Sequence, residues 1–186
     1  TLYRGTSSGS ETSYVAGITT TSYTDTNTDT TPVTNGTTYY YKVSASNIVG
    51  EGSLSNRGSA TPSTTPSVTT GVATSITNAA ATLNGDVTSS GGTAITGRGF
   101  RWALNSAADD CNALTDCTGV TVAGTTGAYT SSLSSLSSNT TYKYRAYATN
   151  SNGTVYGALV TFTTSANVPG APTLTATAGN AQVNLS

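Results

Sequence analysis

The stretch NGTTYYYKVSASN, residues 35–47, returns 103 positions later as SNTTYKYRAYATN, residues 138–150. Thr37, Thr38, Tyr39, Tyr41, Ala45 and Asn47 are matched by Thr140, Thr141, Tyr142, Tyr144, Ala148 and Asn150. A recurrence at about a hundred residues is too long for a solenoid repeat and has the size of a small domain, which predicts tandem modules of one fold. Strand alternation places Tyr39, Tyr41, Val43 and Ala45 on one face and Tyr40, Lys42, Ser44 and Ser46 on the other. The second copy divides into Tyr142, Tyr144, Ala146 and Ala148 against Lys143, Arg145, Tyr147 and Thr149. Both copies keep their charges on the same face. They are therefore read as the same strand, with the charged face outward and the apolar face packed on a partner sheet.

Around the second copy the pattern predicts seven strands, at 66–76, 79–88, 97–105, 119–123, 128–134, 140–150 and 155–164. Short strands with turn signals at this spacing predict a β-sandwich. In GRGFRWALN, Phe100, Trp102 and Leu104 alternate with Arg101 and Ala103, so Trp102 is expected on an inward face as core. The expected cores hold Tyr39, Tyr41 and Val43 in one module and Leu83, Phe100, Trp102, Tyr142, Tyr144 and Phe162 in the other.

Residues 35–62, NGTTYYYKVSASNIVGEGSLSNRGSATP, resemble the last two strands of a fibronectin type III module, with Tyr39 in the family's tyrosine-corner position. Residues 169–186, PGAPTLTATAGNAQVNLS, resemble the first two strands of such a module. The middle, about 66–164, is similar to sandwich repeats of large bacterial surface and secreted proteins, through GDVTSSGG, GRGFRWAL and NTTYKYRAYATNSNGTVYG. The resemblance implies an all-β chain of tandem antiparallel β-sandwiches. Residues 1–62 are then a module lacking its first two strands, 63–165 a complete module, and 166–186 the first two strands of the next. The insertion DTNTDTTPV before Asn35 and the loop from Ser106 to Thr118 depart from the pattern.

Only 8% of the residues are charged, against about 25% in an ordinary soluble domain, and about a third are Ser or Thr. This composition reads as extracellular or cell-surface. In that setting Cys111 and Cys117 are expected to pair as a disulfide rather than remain as free thiols. With no His and two Cys, the chain cannot supply the four ligands of a structural zinc site. Calcium has one candidate set, Asp109, Asp110 and Asp116 around the cysteine loop, against plain turn formation. The EF-hand-like start DTNTDT fails at its sixth and twelfth positions, Thr30 and Gly36. No other cofactor is expected.

Without His, neither a serine triad nor a Cys–His pair can be built, and no nucleophile elbow is expected among the serines. The eight carboxylates are expected in turns or exposed strand positions. The chain is therefore read as non-enzymatic. A net charge of −1 gives no field for nucleic acid, and no apolar run is long enough for membrane insertion. Four Asn-x-Ser/Thr sequons, at Asn35, Asn139, Asn152 and Asn184, leave glycans as possible partners, with turn chemistry as the competing account.

These readings converge on a structural or spacer repeat of a large extracellular or filament-forming surface protein. Its partners are neighbouring copies or adjacent modules, and Val183 and Leu185 are expected to pair into the sheet of an incomplete neighbour. The other reading is an adhesive or carbohydrate-binding module of a surface adhesin or secreted hydrolase.

Overall fold

In the computed structural model every regular element among the described residues is a strand, and every pairing is antiparallel. The structure describes all residues except 27–30, 109, 112–116, 180–181 and 186, and of 176–179 and 182–185 the backbone alone.

The N-terminal part contains β1 (Leu2–Gly5), β2 (Thr12–Val15), β3 (Tyr39–Val43), the short hairpin β4 (Ser46–Asn47) and β5 (Gly50–Glu51), and β6 (Gly58–Ala60). Four of these form one sheet in the order β2-β1-β3-β6. There follow β7 (Ser67–Thr70), β8 (Ala81–Ser89), β9 (Gly97–Leu104), β10 (Thr118–Thr121) and β11 (Gly127–Leu133). Then come β12 (Thr141–Asn150), β13 (Gly153–Tyr156) and β14 (Val160–Thr163). These eight strands build an antiparallel β-sandwich. One sheet runs β10-β9-β12, with β13 and β14 both on β12, and the other runs β11-β8-β7. Last, β15 (Ala176–Gly179) and β16 (Gln182–Leu185) form a two-stranded sheet of their own.

The sandwich follows from period-two alternation. Ala81, Leu83, Gly85 and Val87 of β8 are buried, while the residues between them are partly exposed. They face Phe100 of β9 and Tyr142, Tyr144, Ala146 and Ala148 of β12. Ring pairs knit the layer: Phe100 lies 4.9 Å from Tyr129 and Tyr142 stacks on Phe162 at 5.6 Å, contacts worth about 0.5–1.5 kcal/mol each beyond their area. Gly85 is a packing requirement. A Cβ there would stand 2.9 Å from Cζ of Tyr129, 3.0 Å from Cβ of Ala146 and 3.1 Å from Cε1 of Phe100.

Both copies of the repeat carry the same corner. The Thr34 N–H donates to Oη of Tyr39 at 2.9 Å, and the Ser137 N–H donates to Oη of Tyr142 at 2.9 Å, each across five residues. A backbone donor at the entrance to the strand is thereby satisfied by the strand's first ring, the geometry of a tyrosine corner.

The outward face of β12 differs from expectation. Lys143 is 4% exposed and Tyr147 is also buried. Ala107, Cys111 and Cys117 lie over this face, where the two cysteines and Ala103 form a small apolar cluster with Ala107 packed against it. Lys143 Nζ donates to the Ala107 carbonyl at 2.6 Å, so the buried ammonium keeps a partner. Both faces of β12 are covered for most of its length.

Candidate functional site

The N-terminal sheet carries the most unusual surface. By register Leu2 opposes Val43 and Arg4 opposes Tyr41, as Phe100 opposes Ala146 and Trp102 opposes Tyr144 in the sandwich. In the sandwich that face is closed by β7, β8 and β11. Among the described residues no second sheet closes it in the N-terminal part. Leu2 and Tyr39 are buried and Tyr41 is half-buried. Val43, expected in the core, is 51% exposed and borders an open cleft with Leu2, Ile18 and Tyr23.

Where the sandwich has Trp102, this sheet has Arg4, and a charge on an inward face needs a partner. Asp25 supplies it. Its two oxygens each lie 2.9 Å from Nη1 of Arg4 and accept the Tyr14 hydroxyl at 3.0 Å and the Tyr41 hydroxyl at 2.7 Å. Nη2 of Arg4 reaches the Thr31 carbonyl at 2.6 Å, and the guanidinium lies 3.8 Å from the centre of the Tyr14 ring. The Arg4 and Asp25 side chains are only 9% and 10% exposed. Burial pushes the Asp25 carboxyl up, but the hydrogen bonds from Tyr41, Arg4 and Tyr14 outweigh it and hold the carboxyl below its ordinary range. Burial and the bond to Asp25 push Tyr14 up to about 12 and raise Tyr41 as well. Near neutral pH the acid stays ionised and the phenols stay protonated. The cluster therefore binds structure together and has no group poised to exchange a proton.

Asp25 and Glu11 thus depart from the exposed positions expected of the carboxylates. The Glu11 side chain is 3% exposed and holds Lys42 at 3.7 Å together with Arg57. The sequence also contains a match to the GxSxG spacing, Gly5-Thr6-Ser7-Ser8-Gly9, where none was expected. It forms the turn between β1 and β2 instead of a strand-to-helix elbow, and the chain has no His to activate Ser7.

Cys111 and Cys117 are joined, with S–S 2.06 Å. Of the candidate calcium ligands, Asp109 and Asp116 lie outside the described residues, while the Asp110 backbone carbonyl accepts a bond from Arg145 at 3.3 Å. Among the described residues no group of three or more His, Cys, Asp or Glu could hold a metal ion. Trp102 is partly buried against the core and packs on Tyr142 at 5.9 Å, and its indole N–H has no hydrogen-bond partner among the described residues. Phe100, Tyr142 and Tyr144 are buried. On the outer face Tyr147 lies between Arg101 and Tyr156, at 5.0 and 6.3 Å.

Where the N-terminal sheet meets the sandwich, two turns abut. The Gly36 N–H donates to the Pro62 carbonyl at 2.8 Å, and Asn35 Nδ2 donates to Oγ1 of Thr64 at 3.2 Å. The Thr64 N–H donates in turn to the Gly91 carbonyl at 2.8 Å. Gly92 has φ +92°, and a Cβ on it would lie 2.4 Å from N of Gly36, so this contact requires glycine. The same bond recurs one repeat later, from the Asn139 N–H to the Ser165 carbonyl at 3.1 Å. Three of the sequon asparagines, Asn35, Asn139 and Asn152, are exposed. Asn184 has only its backbone described.

No family model and no curated protein matches the chain. Among solved structures it is similar to the sensor domain of the anti-sigma factor RsgI4 of Pseudobacteroides cellulosolvens, with 18% identity, TM-score 0.41, 55% of this chain and 96% of that one. It is similar to the FN1–FN3 domains of chicken CNTN1, with 22% identity, TM-score 0.39, and 70% and 44% covered. Domains A168–A170 of titin give 16% identity, TM-score 0.38, and 70% and 41% covered. At these scores the likenesses add nothing to what the sheets themselves show.

Proposed function

We propose that the chain is a non-enzymatic structural or spacer repeat of an extracellular or filament-forming surface protein, joined end to end by strand complementation. What supports this reading is a sheet and a hairpin that each lack an opposing sheet among the described residues. The sheet β2-β1-β3-β6 has an inward face without an opposing sheet, and the hairpin β15–β16 pairs with itself alone among the described strands. Val183 and Leu185 share one face of β16 by alternation, as Ala81 and Leu83 share the buried face of β8. On this reading residues 1–62, 63–165 and 166–186 are an incomplete module, a complete one and the start of a third. The hairpin supplies the opposing strands to the open sheet of a neighbouring copy, whether a separate subunit or the next unit of one polypeptide.

Two further features support it. The edge strands β2, β6, β7, β10 and β11 contain no charged residue, so their free backbone groups are unguarded against lateral pairing or need a coat. A disulfide in a charge-poor chain fits an oxidising, extracellular setting. A carbohydrate-binding role is less well supported, because Tyr147 is buried between Arg101 and a tilted Tyr156 instead of offering a free ring face.

Sedimentation velocity on the full chain and on a version lacking residues 169–186 tests the proposal. Concentration-dependent growth of the full chain, lost on deletion, is expected. A full chain that stays monomeric at millimolar concentration, or a deletion that leaves assembly unchanged, overturns it.

A further inference from the structure

The turn between β12 and β13 grips the segment that leads into the sandwich. Asn150 Nδ2 donates to the Thr64 carbonyl at 2.7 Å and to the Ser90 carbonyl at 2.8 Å, while its Oδ1 accepts the Asn152 N–H at 2.8 Å. Asn152 Nδ2 adds bonds to Oγ of Ser63 at 3.0 Å and the Thr64 carbonyl at 3.1 Å. A polar tip, Ser151–Asn152, thus lies against a polar lead-in, Ser63–Thr64.

Asn47 is the repeat-equivalent of Asn150 and has the same internal bond, its Oδ1 accepting the Val49 N–H at 2.8 Å. Its tip has a different chemistry. Ser151–Asn152 is replaced by Ile48–Val49, which are 105% and 90% exposed. No lead-in segment reaches this tip among the described residues. Two adjacent aliphatic side chains held wholly in water at a hairpin tip are an unfilled contact.

The chain contains one other lead-in. Residues 168–172, VPGAP, precede the β15–β16 hairpin as 62–66 precede β7 and β8. They are apolar where Ser63–Thr64 is polar, and Val168 is 91% exposed. We infer that the tip Asn47–Val49 is the docking site for residues 168–171 of a second copy. Asn47 Nδ2 donates to a carbonyl of the incoming lead-in, as Asn150 does to Thr64, and Ile48 and Val49 cover Val168. Polar tip with polar lead-in and apolar tip with apolar lead-in is a two-way match. It directs each lead-in to its own tip and disfavours the exchange. This inference rests on the strand-complementation reading and names the contact that selects the neighbour.

Sedimentation velocity on the full chain and its variants separates the two ideas. The double substitution Ile48→Ser, Val49→Asn, which imitates the other tip, is expected to weaken self-association by about tenfold or more, since the area it removes from the contact is that of two aliphatic side chains. Val168→Ser is expected to do the same, and all three changes together to cost less than the sum, as for groups in mutual contact. Thermal unfolding at a dilution where the chain is monomeric is expected to stay unchanged, because the altered side chains of the free chain lie in water. If the variants assemble as tightly as the parent while deletion of 169–186 abolishes assembly, the tip is not the docking site and the strand reading stands. If the parent itself does not assemble, both are overturned.

Discussion

Replacing Asp25 by Asn tests whether the N-terminal sheet is held by its buried charge cluster. Asn keeps the shape but removes the negative charge that faces Arg4 and turns one of the two oxygens that accept the Tyr14 and Tyr41 hydroxyls into an NH2 donor. Removing one partner of a buried ion pair costs about 3–5 kcal/mol. A separate groove lined by Arg4, Tyr14 and Thr31 admits water beside the guanidinium, so about 2–4 kcal/mol is expected here. For a domain of this size, that corresponds to a fall in Tm of roughly 10 °C or more. The chain is built for the measurement, because its single Trp, Trp102, lies in the sandwich and its fluorescence reports that part alone. Hydrogen exchange of the β1 and β3 amides reports the other. The variant is expected to lose protection in β1 and β3 while the Trp102 transition stays in place. Unchanged protection in those strands would refute the view that the cluster stabilises the sheet. The pH dependence has a definite sign. Asp25 has its folded pKa depressed, so its contribution is present above the unfolded value of about 3.9 and is lost as the pH falls below it. Tyr14 has its folded pKa raised, so its contribution is present below pH 10 and is lost as the pH rises toward about 12. Protection of β1 and β3 is therefore expected to be greatest between these limits.

Trp102→Ala is expected to destabilise the sandwich by about 2–4 kcal/mol, read by chemical denaturation, whereas Trp102→Phe keeps the contact with Tyr142, removes an unpaired buried N–H and is expected to stay within about 1 kcal/mol of the parent. Gly85→Ala drives a methyl into Tyr129, Ala146 and Phe100, and a loss of about 1–3 kcal/mol is expected by the same assay. The Cys111–Cys117 bond closes only a short loop, so reducing it is expected to cost no more than about 2–3 kcal/mol, with faster exchange confined to Ala103 and Lys143 beneath it.

Much of the sandwich was legible because its strands obey one period. Ala81, Leu83 and Val87 alternate with polar residues, and the echo of Tyr39 in Tyr142 marked the same strand and the same corner twice. Alternation assigns a side chain to a face but says nothing of what covers that face. Lys143 therefore read as solvated, although Ala107 lies over it. Arg98 shows a related limit: it sits on the inward face with Phe100, and its guanidinium is closed by the carbonyls of Ala123, Thr125 and Gly127, contacts that no spacing announces. The pairing of Arg4 with Asp25 was illegible for a different reason. Its partners are 21 residues apart and the second lies outside any regular strand. The one available signal was the register, which sets Arg4 where the sandwich has Trp102.

The segment at Thr64 is gripped from both sides, by Asn35 of the N-terminal sheet and by Gly91, Asn150 and Asn152 of the sandwich, with Gly36 and Gly92 in backbone contact beside it. Such a joint resists torsion as well as bending. Rotating one part against the other would break several hydrogen bonds at once and drive two glycine backbones into each other. Within the chain the N-terminal sheet and the sandwich are therefore held at one fixed angle, and a twist applied to one is passed to the other.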